Sequence, residues 1–274
     1  MRRLGFIIVT ALTTLTTLTP AVSAAVAADP TNVAHRGASA DAPENTLAAF
    51  KLAGRQGADM FELDVRETKD HQLVLLHDPT LTRTTDVESV FPDRAPWPLS
   101  AFTLDEIRRL DAGSWFGSGH SGERVPTLGE TLSVMKGRGM GLLLEIKDPD
   151  QYPGIERRVA AELRKNSWWL RPGRLVVQSF DWRSMRTFHH RMPRIPVGLL
   201  GAPEVSQLRT LSRYATQINP PYQYVTRAYV NRIHRLGMKV FTWTVNDRAE
   251  WRRLASQGVD GIITDRPGMA SLTP

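Results

Sequence analysis

The chain contains no cysteine. That excludes disulfide staples and any zinc site built on thiolates, so the fold rests on its apolar core. Lysine is scarce, with 6 residues against 29 arginines. The arginines are scattered over predicted helix faces (Arg157, Arg158, Arg209, Arg213, Arg252, Arg253). No compact basic stripe interleaved with aromatics forms, so the +7 formal charge is not read as a nucleic-acid surface. A Gly-x-Gly-x-x-Gly turn is missing from the first strand–helix unit, which removes the mark of an open dinucleotide-binding sheet. Past residue 28 no apolar run is long enough to span a bilayer, so no stable membrane insertion is expected.

What is present begins with a leader. Arg2 and Arg3 precede an apolar, threonine-rich run from Leu4 to about Leu18, and Pro20 opens an alanine-rich stretch with small residues at Val22-Ser-Ala24 and Ala25-Val-Ala27. The pattern predicts a secretory signal peptide over 1–28 and a secreted, extracytoplasmic domain over 29–274. An uncleaved membrane anchor is the alternative; the threonines between Thr10 and Thr19 and the small-residue cleavage sites argue against it. With 41% hydrophobic and 23% charged residues, the exported domain has ordinary globular composition.

Short apolar runs then alternate with amphipathic stretches. Strands are predicted at Asn32–His35, Met60–Val65, Gly141–Ile146, Leu175–Gln178, Pro196–Leu200, Gln217–Asn219, Lys239–Thr244 and Gly261–Thr264. Helices are predicted at 44–56, 128–138, 155–168, 181–191, 203–215, 226–236 and 248–257. Gly57, Gly139, Gly237 and Gly258 stand where helices should stop. Asp41-x-x-Glu44, Thr127-x-x-Glu130 and Asp247-x-x-Glu250 read as capping boxes where they should start. Eight strands alternating with helices predict an α/β fold, a (β/α)8 TIM barrel. Gln72–Leu76 follows the second strand too closely for a crossover and reads as a hairpin ending in His77-Asp78. From about 80 to 126 the alternation lapses into a segment rich in Pro, Gly, Asp and aromatics, a small inserted subdomain over the barrel mouth.

Glu62 and Asp64 lie in the apolar run Met60–Val65, and alternation along a strand puts both on one side. Two like charges on one buried face require a counter-ion. In a parallel barrel the C-terminal strand ends share the functional face. Read off those ends, His35, Arg36, Glu145, Lys147, Gln178, Ser179, Asn219, Trp243 and Asp265 join the pair, and His77 enters from the hairpin. Glu62, Asp64 and Glu145 form a hard oxygen ligand set for one divalent cation, Ca²⁺ or Mg²⁺. Arg36 and Lys147 supply fixed positive charge for phosphate oxygens, and His35 with His77 can divide base and acid work. The chemistry this points to is metal-assisted phosphoryl transfer.

The motifs His35-Arg36-Gly37, Pro43-Glu-Asn-Thr46, Glu62-Leu-Asp64, His77-Asp78, Glu145-Ile-Lys147, Gln178-Ser-Phe180, Trp243-Thr-Val-Asn246 and Thr264-Asp-Arg-Pro267 together resemble the glycerophosphodiester phosphodiesterase family, in order and over about 32–267. The resemblance implies hydrolysis of small-molecule glycerophosphodiesters to sn-glycerol 3-phosphate and an alcohol. It also implies Glu62, Asp64 and Glu145 as metal ligands, His35 and His77 as the catalytic pair, and Arg36 and Lys147 as phosphate contacts. Trp243 reads as a wall for the glycerol moiety. Two other readings are a phospholipase-D-like enzyme acting on lysophospholipids or sphingomyelin, and a non-catalytic binder of phosphate-containing surface polymers. The absence of cysteine counts against the first, and retention of every catalytic residue type against the second. Asp70-His71 departs from the family's usual Asp-Gly turn. Trp97, Trp115 and Phe116 read as the insertion's own small core.

Overall fold

The computed structural model describes residues 1, 5 and 29–272. Apart from Met1 and Gly5, the leader expected over 1–28 lies outside the described residues. Among the described residues no helix is long and apolar enough to cross a membrane.

Nine strands form one sheet: β1 (Thr31–Ala34), β2 (Met60–Glu67), β3 (Leu73–Leu75), β4 (Gly141–Ile146), β5 (Leu175–Ser179), β6 (Val197–Leu200), β7 (Gln217–Asn219), β8 (Lys239–Thr242) and β9 (Gly261–Thr264). β1 pairs in parallel with both β2 and β9, so eight of the strands close into the barrel that the alternation predicts. β3 is the exception, running antiparallel to β2 with Val65 opposite Leu75 and Glu67 opposite Leu73. It carries the chain up and past the rim to His77.

The period-two pattern of each strand divides the molecule into two apolar layers. Phe61, Leu63 and Val65 of β2, and Leu142, Leu144 and Ile146 of β4, face outward and pack under the helices with Phe50, Leu132, Val159 and Phe188. Val33, Met60, Leu143, Val176, Phe241 and Ile263 face inward and plug the barrel below the mouth. Gly261 belongs to this plug for want of a side chain, since a Cβ there would stand 2.6 Å from the Phe241 ring. The inward positions of β2 above Met60 are Glu62 and Asp64, both 1% exposed. Strand alternation therefore lifts carboxylates directly above the apolar plug.

Helices connect the barrel strands, and their starts are chemically marked. The Thr127/Glu130 box forms in both directions before Leu128–Met135, and Asp247 caps Arg248–Gln257 through the amides of Ala249 and Glu250. The expected Asp41/Glu44 box does not form. The first helix starts at Leu47 with Thr46 as its cap, its Oγ1 accepting from Ala49 N. Asp41 through Asn45 are thus loop, which frees Glu44 for other partners.

The excursion after Asp78 builds its own core from Leu81, Val87, Leu99, Phe102, Ile107 and Leu110. Val74 and Leu76 of the hairpin join it. Trp97 packs on this core, but Trp115 does not: it is 40% exposed and meets Phe116 edge to face at 5.6 Å. Aliphatic residues and Phe102 already fill the insertion, so the two later aromatics remain near its surface. At the tip of the hairpin His71 adopts φ 60°, so the Asp70-His71 turn keeps a left-handed residue although the side chain is not glycine.

Candidate active site

The carboxylates come first because they are the costliest groups to bury. Asp64 of β2 lies opposite Glu145 of β4 in the parallel register. Glu62, Asp64 and Glu145 each offer an oxygen, all within 4.8 Å of one another. Glu62 accepts the Arg36 backbone N–H at 2.8 Å. Asp64 accepts Asn45 Nδ2 at 2.9 Å and returns its own N–H to Asn45 Oδ1 at 3.1 Å. Lys147 Nζ stands 2.8 Å from Glu145 Oε1 and 3.7 Å from Asp64 Oδ1. The shorter contact is an ion pair out of hydrogen-bond alignment, and Glu145 Oε1 has no aligned donor.

Protonation follows from these surroundings. Burial, then the charges of Asp64 and Glu145, push the Glu62 carboxyl well up. Burial, then Asp64, raises Glu145 to about 7. Burial also works against ionised Asp64, but Arg36, Lys147, His77 and the Asn45 hydrogen bond outweigh it and hold that group down. With all three ionised, the cluster would carry one more negative charge than Arg36 and Lys147 offset, and burial answers this by pushing Glu62 and Glu145 toward their protonated forms. The three buried hard oxygens, within 4.8 Å of one another, fit a divalent cation, which would let all three carboxylates ionise together.

Two loops deliver the cationic and amide groups. Arg36 follows the end of β1 at φ 57°, and Asn45, also at φ 57°, gives its backbone N–H to Arg36 O at 3.0 Å. Asn tolerates this left-handed region better than most residues. Between them Gly37 sits at φ 84°, where a Cβ would come within 2.6 Å of the Ala49 carbonyl carbon. The His-Arg-Gly and Glu-Asn-Thr motifs are thus two halves of one backbone clasp. It aims an amide at Glu62 and an amide side chain at Asp64.

The imidazoles are fixed in the same manner at two places. His35 Nδ1 lies 2.7 Å from Asp265 Oδ1, and Asp265 also accepts from Ser39 Oγ and Asn246 Nδ2. His77 Nδ1 lies 2.7 Å from Asp78 Oδ1, and the buried Arg66 holds the His77 carbonyl through Nε at 2.9 Å. A carboxylate at Nδ1 selects the tautomer with Nε2 free. Burial opposes charge on Asp265 and Asp78, yet their hydrogen bonds more than offset it and draw both carboxyls down to about 2. Burial, followed by Arg36 and Lys147, lowers His77 against the opposing pull of Asp64.

One cavity collects His35, Arg36, Glu62, His77, Glu145 and Lys147. Trp243 lines its wall, anchored by Nε1 to Asn219 O at 2.8 Å, and meets Phe180 edge to face at 5.7 Å. Gln178 also lines it and accepts Asn219 Nδ2 at 2.7 Å. Every residue read from the strand ends converges here or touches a residue that does, except Ser179, whose Oγ donates to Ile146 O at 2.7 Å. Sequence reasoning named Phe180 within a motif but gave it no role, though it stands half exposed at the rim, and it left out Arg83, which joins Glu44 to Asp78. Phe180 was legible as the residue after Gln178-Ser179. Arg83 carried no local signal.

Residues 35–269 match the glycerophosphoryl diester phosphodiesterase family. The chain is 38% identical over 239 residues to a glycerophosphodiester phosphodiesterase of Caldanaerobacter subterraneus subsp. tengcongensis, a match covering 86% of this chain and 93% of that one. A glycerophosphodiester phosphodiesterase of Bacillus subtilis is 35% identical over 254 residues, 86% of this chain and 84% of the other. The fold is similar to that of an Oleispira antarctica phosphodiesterase in complex with the product sn-glycerol-3-phosphate. That match has TM-score 0.79 and 31% identity, covering 88% of this chain and 95% of that chain.

Asp265 gives the site a measurable acid limit. Its folded value of about 2 lies below the ordinary 3.8, so its stabilisation is complete above about pH 5 and is mostly lost as pH falls through about 2. The shift corresponds to about 2 kcal/mol at neutral pH. Asp265→Asn should lose about that much at pH 7, and its stability should fall less steeply than wild type from pH 4 to 2. Urea midpoints across that range check it; parallel curves for the two proteins would refute the assignment.

Proposed function

We propose that this chain, which belongs to the glycerophosphoryl diester phosphodiesterase family, works outside the cytoplasm with a divalent cation and two histidines. It is a phosphodiesterase acting on glycerophosphodiesters, and the products in this reading are sn-glycerol 3-phosphate and an alcohol. The observation that carries the mechanism is the pair of imidazoles, each held through Nδ1 at 2.7 Å by its own carboxylate, on one cavity with Glu62 and Glu145.

Glu62, Asp64 and Glu145 hold the cation, and their hard oxygens suit Ca²⁺ or Mg²⁺. When bound, the ion supplies Lewis acidity that draws charge from a phosphate oxygen. Arg36 and Lys147 face the remaining oxygens with charges that need no reorganisation during the reaction. His35 Nε2 takes the proton of the attacking water, or of the glycerol hydroxyl, in which case water then opens the resulting cyclic phosphate to sn-glycerol 3-phosphate; His77 Nε2 protonates the departing alkoxide. Asp265 and Asp78 keep each ring in register and stabilise the imidazolium form as it develops. Trp243 and Phe180 give the glycerol carbon chain an apolar wall.

Three measurements test this reading. Ca²⁺ or Mg²⁺ should raise the melting temperature of EDTA-stripped protein, by the equivalent of about 2.7 kcal/mol at a hundredfold excess over Kd, and Glu62→Gln should abolish the rise. Unchanged glycerophosphocholine turnover in EDTA would remove the cation from the mechanism.

His35→Ala and His77→Ala should each lower kcat by about 10²- to 10⁴-fold. A p-nitrophenyl leaving group needs no proton, so it should restore His77→Ala but not His35→Ala. The opposite pattern would exchange the two roles.

The leader supports export, so protein recovered outside the cytoplasm should begin near residue 29 by N-terminal sequencing. Protein confined to the cytoplasm with Met1 retained would rule export out.

A further inference from the structure

Leu81, fully buried in the insertion's core, anchors the chain two residues before Arg83. The Leu81 carbonyl also accepts Thr85 Oγ1 at 2.6 Å, closing the backbone around this point. From there the Arg83 side chain reaches back to the barrel mouth. Its Nε donates to Asp78 Oδ2 at 2.6 Å and its Nη2 to Asp78 Oδ1 at 3.2 Å. Nη1 donates to Glu44 Oε2 at 2.8 Å, and Nη2 to Glu44 Oε1 at 2.7 Å. One guanidinium thus engages all four oxygens of two carboxylates. A planar fork can do this and a point-charge ammonium cannot.

Each of those carboxylates has a second partner in the site. Asp78 Oδ1 holds His77 Nδ1 at 2.7 Å. Glu44 Oε1 accepts Arg36 Nη1 at 3.0 Å, while Arg36 Nε lies 3.3 Å from Asp64. His77 comes from beyond β3 and Arg36 from the end of β1. Arg83 joins the two arms through Asp78 and Glu44. At 42% exposure its ion pairs contribute little as simple surface salt bridges.

We propose that Arg83 is a positioning residue through which the insertion sets the placement of His77, by way of Asp78, and of Arg36, by way of Glu44. The inserted subdomain then acts as a buttress whose apolar core fixes the root of one arginine. The reaction depends on that geometry because a proton donor and a phosphate-binding guanidinium must both meet one phosphodiester. An ångström-scale misplacement of such groups costs about a hundredfold in rate.

The inference rests on the roles given above to His77 and Arg36, and the test separates the two. Arg83→Gln and Arg83→Lys should each lower kcat for glycerophosphocholine by about 10- to 100-fold, with melting temperature and circular dichroism close to wild type. Lysine should not rescue, because it lacks the fork. Arg83→Ala should regain part of its kcat in millimolar guanidinium, but not in ammonium at equal ionic strength. In a double-mutant cycle, Arg83→Gln combined with Asp78→Asn should lose no more than the worse single variant.

Wild-type kcat in Arg83→Gln and Arg83→Lys, with His77→Ala inactive, would overturn the positioning role and leave the mechanism intact. Strict additivity with Asp78→Asn, or equal rescue by ammonium, would overturn it as well. An active His77→Ala enzyme would instead defeat the mechanism on which the inference stands.

Discussion

The structure is organised around three carboxylates buried side by side on two neighbouring strands. Glu62 and Asp64 rise from β2 and Glu145 from β4, within 4.8 Å of one another. Such a cluster has a high desolvation and repulsion cost, and every nearby polar contact answers it. The Arg36 amide binds Glu62, the Asn45 amide binds Asp64, and Lys147 faces Glu145. These contacts offset only part of the repulsion, and Glu62 and Glu145 are pushed toward their protonated forms. A hard divalent cation would relieve that repulsion by letting the three carboxylates ionise together. The same requirement explains why the Arg36 and Asn45 loops take left-handed backbone conformations instead of relaxing.

Around this centre the structure repeats one device at two places. Each histidine is paired with an aspartate at Nδ1, and each aspartate is held by further donors. Asp265 has Ser39 and Asn246, while Asp78 has Arg83. The Trp-Thr-Val-Asn motif thereby acquires two separate functions. Trp243 forms part of the cavity wall, and Asn246 holds the aspartate that holds His35. The barrel plug of Val33, Met60, Leu143, Val176, Phe241 and Ile263 keeps water from reaching the cluster from below. Polar groups can therefore be concentrated at one end of the barrel.

Much of this was legible in advance because strands impose a strict period. β4, β7 and β9 lie where their apolar runs and flanking signals placed them, and the Glu62/Asp64 side follows from alternation alone. Misreadings arose where local chemistry allows several outcomes. Asp41 and Glu44 have capping-box spacing, but Glu44 engages the guanidinium groups of Arg36 and Arg83, and Thr46 caps the helix. Trp115 and Phe116 have the composition of a core, but the insertion was already filled by Leu81, Leu99, Phe102 and Leu110. Arg83 sits in a threonine-rich loop with nothing nearby to indicate its targets, one of which is 39 residues earlier in the chain.

The sequence by itself determined the barrel, the inward pair on β2, and which residue types stand at the strand ends. Those features depend on periodicity and on a strand's two faces, and both are local properties of the chain. Only the tertiary structure decided which aspartate serves which histidine, that Asn45 is joined to Asp64, and that the insertion grips the mouth through Arg83. These are contacts between distant segments, and they exist only after the barrel closes and a second core fixes where each loop begins.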